Sequence, residues 1–450
     1  MARTAALFFL CACSSSPVEL LREATGSVSQ NLCTKSLASN LLPDAVMREH
    51  LLPEPGMGAI AWGLRYDVDN EAQEVRASVF GDSASRSVFR EGRGCTLVYP
   101  GIAAPRALTP LAHTPALMPD IAREGIVAPQ DPRLVAALDG AFAEPEHGPP
   151  RNTQAVVVLR GGRIIAERYA PGLSADTALL SHSIAKSVVN ALVGVLVRDG
   201  EMRVDDPAPV DLWRDDERGA VTIDNLLRMN AGFGFDEGGG ASIATHIWYT
   251  QPDTALAAAR AELQGAPGAQ WGYCSRCYIL LSRAIGDAIG GGPEGVRNFA
   301  QSEVFDPLGM HSATLEFDAS GTMMGANSML ATPRDWARFG LLYLHDGMVG
   351  DRRILPEGWV RYSTRPTGVA GYGAGFWLNT TDAEIAEWHM RWGIPGAPRD
   401  AYMARGYMGQ YLVIVPSADL VVVRFGQSHA RASDVSSVGR LVRDIIAART

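Results

Sequence analysis

The chain has 450 residues, long enough for one large unit with an extension or for two domains. Apolar residues make up 47% and aromatics 8%, enough for a sizeable core, which excludes a disordered chain. The formal charge is −9 with no long basic run, which argues against nucleic acid as a partner.

Residues 1–18 have the outline of an export signal: an early charge at Arg3, a short apolar run over 5–12, then Cys13 and serines. Leu10-Cys11-Ala12-Cys13 resembles a bacterial lipobox, which would make Cys13 a lipid anchor. The expectation is an exported protein, periplasmic or membrane-anchored; a cytoplasmic chain with a buried N-terminal strand is the alternative. No other stretch approaches 18 uninterrupted apolar residues. Past the signal lie Cys33, Cys95, Cys274 and Cys277, which allow three pairings in an oxidising compartment. Cys33 with Cys95 could tie down the N-terminal extension. Cys274-x-x-Cys277 has no second ligand pair for zinc, and a structural role is the simplest for it. No metal is implied.

Residues 19–130 form an extension and linker, Pro-rich and irregular, with strand-like stretches at 59–66 and 75–80. Segment 100–132 reads as linker or wrapped coil. A helix is expected over 132–142. Segments 155–159 and 164–169, joined by Gly161-Gly162, carry a β-hairpin signal. Residues 183–198 are the strongest helix, apolar almost all round from Val188 to Val197 and ended by Asp199-Gly200. Helical patterns then dominate an inserted lobe at about 200–325, including 223–229 and 278–289. Another helix is expected over 333–344. Strand signals return at 372–378, 411–415 and 420–425, and an amphipathic helix over 435–448 closes the chain. Strands early and late with helices between imply an α+β fold, an antiparallel sheet built from both ends of a domain spanning 131–450.

Of the 40 basic residues only two, Lys35 and Lys186, are lysine. A lysine that persists against such a bias marks a place where titratability counts, because Arg stays charged and Lys need not. Lys186 sits three residues after Ser183, one helical turn away and on the same face. It opens a buried helix, at the positive end of the helix dipole, which ordinarily favours acidic residues. Dipole and burial both favour the neutral amine, which can accept the serine proton.

Three motifs in order carry a family resemblance. Ser183-Ile-Ala-Lys186 is the first, Tyr273-Cys274-Ser275 the second, and Tyr407-Met408-Gly409-Gln410 the third. With the intervening Phe305–Met310 (FDPLGM) and 331–342 (ATPRDWARFGLL) segments, residues 130–450 resemble the serine β-lactamase and penicillin-binding-protein superfamily, in its class-C-like branch. The text is closest to 6-aminohexanoate-dimer hydrolases and related esterases. The resemblance implies a β-lactamase/transpeptidase-like fold, an antiparallel sheet flanked by helices, with the active site in the crevice beside the helical lobe. It implies a serine hydrolase in which Ser183 attacks an ester or amide carbonyl, Lys186 and Tyr273 manage the proton, and backbone N–H groups of Ser183 and Gln410 hold the oxyanion. No cofactor is implied.

Where β-lactamases place the cation of Lys-Thr-Gly, this chain has Tyr407. Losing a charge-assisted bond to a substrate carboxylate there costs about 1.5–3 kcal/mol. This disfavours a β-lactamase or D-amino-acid peptidase, the rival enzymes; a non-catalytic penicillin-binding-like sensor is the rival of another class. Ser275, Tyr407 and Gly409 are the substrate-binding candidates, Tyr407 being either pocket wall or passive packing. His182 and His429 are structural or pocket-lining. Oligomeric state is not readable.

Overall fold

The turn that starts the catalytic sheet is set by two glycines. Gly161 and Gly162 have φ of +59° and +72°, values that glycine adopts without strain and that give a two-residue hairpin the right twist. They join strand Thr153–Arg160 to Arg163–Tyr169. The computed structural model describes residues 16–81, 83–237, 241–429 and 431–448; Cys13 lies outside them. Six antiparallel strands run in the order Trp377–Leu378, Tyr402–Gly406, Gln410–Val415, Leu420–Gly426, Thr153–Arg160, Arg163–Tyr169. The N-terminal hairpin thus pairs with the last strand of the chain, Leu420 opposite Arg160, and the expected sheet built from both ends is present.

Helix Pro333–Leu344 lies against the central strands, while Pro132–Phe142 and Arg431–Ala447 pack on each other beside Thr153–Arg160. Every residue of Leu420–Gly426 is buried. A sheet covered on both faces needs no polar alternation, which is why this strand and 155–159 read as continuous apolar runs. The expected strand 372–378 shrinks to Trp377–Leu378. Gly373 turns back on Phe376 through its N–H, and the carbonyls of Ala374 and Gly375 are taken by side chains of the helix beneath.

That helix, Ala185–Arg198, is the pillar of the molecule, with all residues from Ala185 to Leu196 buried. Its one fully buried amide, Asn190, is exempt from the apolar pattern for a reason. Asn190 donates to Ala374 O at 2.9 Å and Ser363 Oγ at 3.1 Å, and accepts from Tyr343 OH at 2.5 Å and Trp359 Nε1 at 3.0 Å. One side chain therefore ties the helix to two other helices, Pro333–Leu344 and Trp359–Ser363, and to one loop, with each polar group partnered as a low dielectric requires.

The N-terminal region departs most from expectation. Pro17–Leu32 is a helix with a capping box between Ser16 and Glu19, a signal passed over because Gly26 and a run of Ser, Thr, Val and Asn dilute its propensity. The expected strand at 59–66 begins only at Leu64, because Met57–Ile60 is helical. Four antiparallel strands, Leu64–Asp69, Glu74–Val79, Ser83–Arg90 and Gly94–Val98, follow in sequence order. They share a core with the first helix around Val28, Leu32, Val75 and Val79. The Cys33–Cys95 disulfide closes that core, and Cys274 pairs with Cys277. The Pro-rich segment 100–131 is a wrapped coil. Asp306 pins it by accepting from Thr114 N at 2.9 Å and from His113 Nδ1 at 3.1 Å. Among the described residues no helix is long and apolar enough to cross a membrane.

The Asn190 network makes a stability prediction. Asn190→Ala leaves a buried hydroxyl, an indole N–H and a carbonyl without partners, and should cost about 2–4 kcal/mol in urea unfolding. Asn190→Leu should cost as much despite restoring apolar volume; a loss under ~0.5 kcal/mol in either would show that the network is not a brace.

Candidate active site

Ser183 sits in a 3-10 turn, His182–Ile184, that feeds directly into the pillar helix. His182 carries a φ of +47°, a left-handed conformation that costs a non-glycine residue about 1–2 kcal/mol. The strain falls immediately before the serine and is held by neighbours: Ser181 N donates to Met329 O at 2.8 Å, and the imidazole packs edge-on against Tyr407. Such local strain is characteristic of functional backbone.

Lys186 Nζ donates to Ser183 Oγ at 3.0 Å and to Ala326 O at 2.6 Å. The side chain is 1% exposed. Burial pushes the lysine pKa down to about 8, with Glu237 and Asp236 opposing that drop. Tyr273 is 3% exposed and lines the same cleft as Ser183. Burial, reinforced by Glu237, raises its pKa well above the ordinary phenol value. Its ring stacks on Trp377 with centroids 5.4 Å apart, and Lys186 Nζ lies 4.9 Å from its own centroid. Serine, amine and phenol therefore converge, the amine able to lose its proton near neutrality and the phenol holding on to its own.

A small cleft opens on these groups, lined by Trp377, Trp388, Met390, Tyr407 and Gly409 among others. Aromatic walls with a few charged groups among them are the ordinary lining of a small-molecule site. The third motif forms the tip between Tyr402–Gly406 and Gln410–Val415, with Met408 and Gly409 both left-handed. Gln410 is buried, and its side chain locks the tip by donating to Tyr407 O and Gly426 O while accepting from Gly426 N. Tyr407 OH donates to Glu54 Oε2 at 2.9 Å, so the N-terminal region braces this wall. His50 of the same region lies edge-on to His182 at 5.6 Å, and Lys35 Nζ reaches Gln427 Oε1 at 3.0 Å.

Of the residues expected from sequence, Ser183, Tyr273, Tyr407 and Gly409 line the cleft, with Lys186 directly beneath Ser183. Ser275 does not line it: buried at the start of helix Ser275–Ile289, it gives its hydroxyl to Glu237. His429 meets the carbonyl of Glu49 at 3.0 Å rather than the reacting groups. Sequence reasoning missed Glu237, which stands 3.7 Å from Lys186 Nζ and has no motif spacing to betray it. It also missed Arg405 and Asp434, both on the cleft. Arg405 lies on strand Tyr402–Gly406, which was not among the expected strands.

Comparison with known proteins bears on the family and the fold. The chain matches the family model described as Beta-lactamase over residues 141–446. It is 26% identical over 290 residues to the 6-aminohexanoate-dimer hydrolase of Paenarthrobacter ureafaciens, covering 60% of this chain and 72% of that protein. A Bacillus anthracis structure assigned as a 6-aminohexanoate-dimer hydrolase superposes with a TM-score of 0.56 at 19% identity, covering 75% of this chain and 87% of that one. A β-lactamase from Mycobacterium bovis gives 0.51 at 15% identity, over 70% and 98%. At such identities the structural likeness speaks for the fold alone. With the family model spanning more than half its length, the chain belongs to the Beta-lactamase family.

Proposed function

We propose that this protein is a serine hydrolase that cleaves an ester or amide bond through an acyl-enzyme. The observation that carries the reading is the buried amine of Lys186, 3.0 Å from Ser183 Oγ. With a pKa of about 8, about one-tenth of the molecules hold it neutral at pH 7. That fraction takes the Ser183 proton as Oγ attacks the carbonyl. The backbone N–H groups of Ser183 and Gln410 receive the oxyanion, beside the positive end of the pillar helix. Tyr273, held as a phenol against Ser183, hands a proton to the leaving group. Water then releases the acyl group by the same route reversed.

The tryptophan-lined wall supports an apolar acyl or leaving group, and the relative named as a 6-aminohexanoate-dimer hydrolase supports a linear amide. Export is part of the same proposal, with support from the Cys33–Cys95 and Cys274–Cys277 pairs, which persist in an oxidising compartment.

Ser183→Ala should abolish turnover of 4-nitrophenyl esters and of short linear amides with the fold intact. A fluorophosphonate should label Ser183; label on Ser275 or Ser187, whose hydroxyls are committed to Glu237 and Gly375 O, would refute the assignment.

The lysine argument has its own signature. Deprotonated Lys186 is the active form, so kcat/KM on a neutral ester should rise with pH through a midpoint near 8 and level off above it. Lys186→Arg, which keeps charge but cannot accept a proton, should lose at least about 10²-fold, as much as Lys186→Ala. Tyr273→Phe should lower the plateau and leave the midpoint near 8, since burial keeps the phenol protonated throughout this range. A flat profile between pH 6 and 9 would contradict the neutral-amine mechanism.

A further inference from the structure

Of four cations at or beside the cleft, two stand within 4.0 Å of a carboxylate and two do not. Lys186 stands against Glu237 at 3.7 Å. Arg276 is fastened to Asp236 at 2.5 Å. Arg424 is the cation that bears most strongly on Asp434, ahead of Arg151 and Arg405. Among the described residues neither Arg424 nor Arg405 has a carboxylate within 4.0 Å, and of the two it is Arg405, 6% exposed, that lines the cleft. Its guanidinium donates to neutral groups, the carbonyls of Arg391 at 3.2 Å and Trp392 at 2.9 Å, the thioether of Met390 and Tyr411 OH at 3.4 Å. It lies 4.8 Å over the Trp377 ring and 5.4 Å over Tyr411. The groups facing it from packed elements are therefore aromatic faces, two carbonyls, a sulfur and the more distant Asp434.

A guanidinium taken out of water without a counter-ion is costly, and chains keep one where an anion comes to meet it. We propose that Arg405 is the anion receptor of the cleft, and that the substrate carries a carboxylate, on its acyl or its leaving side, that pairs with it. The inference rests on the serine-hydrolase reading for its reaction but not for its binding site. It also alters the expectation drawn from Tyr407. The cation absent from position 407 is supplied two residues earlier, from the strand that leads into the turn, while Tyr407 is held by Glu54 and spends its hydroxyl there. Arg405 is thus a specificity residue, distinct from the groups that move the proton.

Matched esters test it. The 4-nitrophenyl monoester of glutaric acid carries its anion on the acyl side, and 4-nitrophenyl pentanoate is its neutral partner. The pentanoates of 4-hydroxybenzoic acid and 4-hydroxybenzamide make the same contrast on the leaving side. One anionic member should exceed its neutral partner at least tenfold in kcat/KM. Arg405→Gln should lower that anionic ester by about 10- to 100-fold, the range a charge-assisted bond commands, and the neutral ester less than about threefold. Arg405→Lys should keep part of the preference. Binding to the Ser183→Ala protein, measured by calorimetry with glutaric monoanilide against pentananilide, reads the site without turnover. Tighter binding of the anionic anilide that vanishes in Arg405→Gln, with no ester cleaved by wild type, would leave the anion site standing and the hydrolase reading lost. Equal losses on charged and neutral ligands in Arg405→Gln, or no anionic preference in the wild type, would overturn the proposal and leave Arg405 as a brace for residues 390–392.

Discussion

A single amine buried under a helix N-terminus governs the rest of this molecule. Lys186 cannot be both charged and comfortable there, because the low dielectric and the dipole penalise its ammonium together. The structure meets the cost with one carbonyl, Ala326 O, and one carboxylate at arm's length, Glu237. Closer pairing with Glu237 would lock the charge on; no pairing would drive the amine fully neutral. The intermediate arrangement leaves the pKa near 8, within reach of the proton that Ser183 must lose.

Holding that balance requires a rigid frame, and most of the fold can be read as frame. The pillar helix is buried from Ala185 to Leu196 and pinned through Asn190. The sheet delivers the third motif to one side of Ser183, and the segment before Tyr273 delivers Glu237 to the other, with Asp236 N bonded to Tyr273 O at 2.9 Å. The N-terminal region is drawn into the same frame through Glu54, His50 and Lys35. Both lysines of the chain are fully buried, and burial takes Lys35 down to about 7. Arginines are buried too, Arg228, Arg276, Arg405 and Arg424 among them, so lysine marks the two buried cations that can lose a proton near neutrality.

Legibility followed the range of the interactions involved. The S-x-x-K turn, the Gly-Gly hairpin, helices Pro132–Phe142 and Pro333–Leu344, and the last two strands were readable because their signals lie within a few residues. The second and third motifs were readable through resemblance. What escaped depends on distant partners. Glu237 matters because Lys186 and Ser275 come to it, and Tyr407 is fixed by a residue more than 350 positions earlier. The N-terminal helix was hidden by weak local propensity that its packing on strand Ser83–Arg90 overrides. Asn190 passed as a blemish in an apolar run, whereas four polar contacts make it a joint.

The scarcity of lysine makes the central claim open to direct observation. Protein labelled with ¹³C at lysine Cε should show only two lysine signals, and a Lys35→Arg variant assigns the one from Lys186. Followed by NMR from pH 6 to 11, the Lys186 signal should titrate with a midpoint near 8 in the wild type and remain low in Ser183→Ala. A midpoint at or above the ordinary lysine value, about 10.4, would mean that the amine enters catalysis fully charged, and that Lys186 cannot be the group that takes the proton from Ser183.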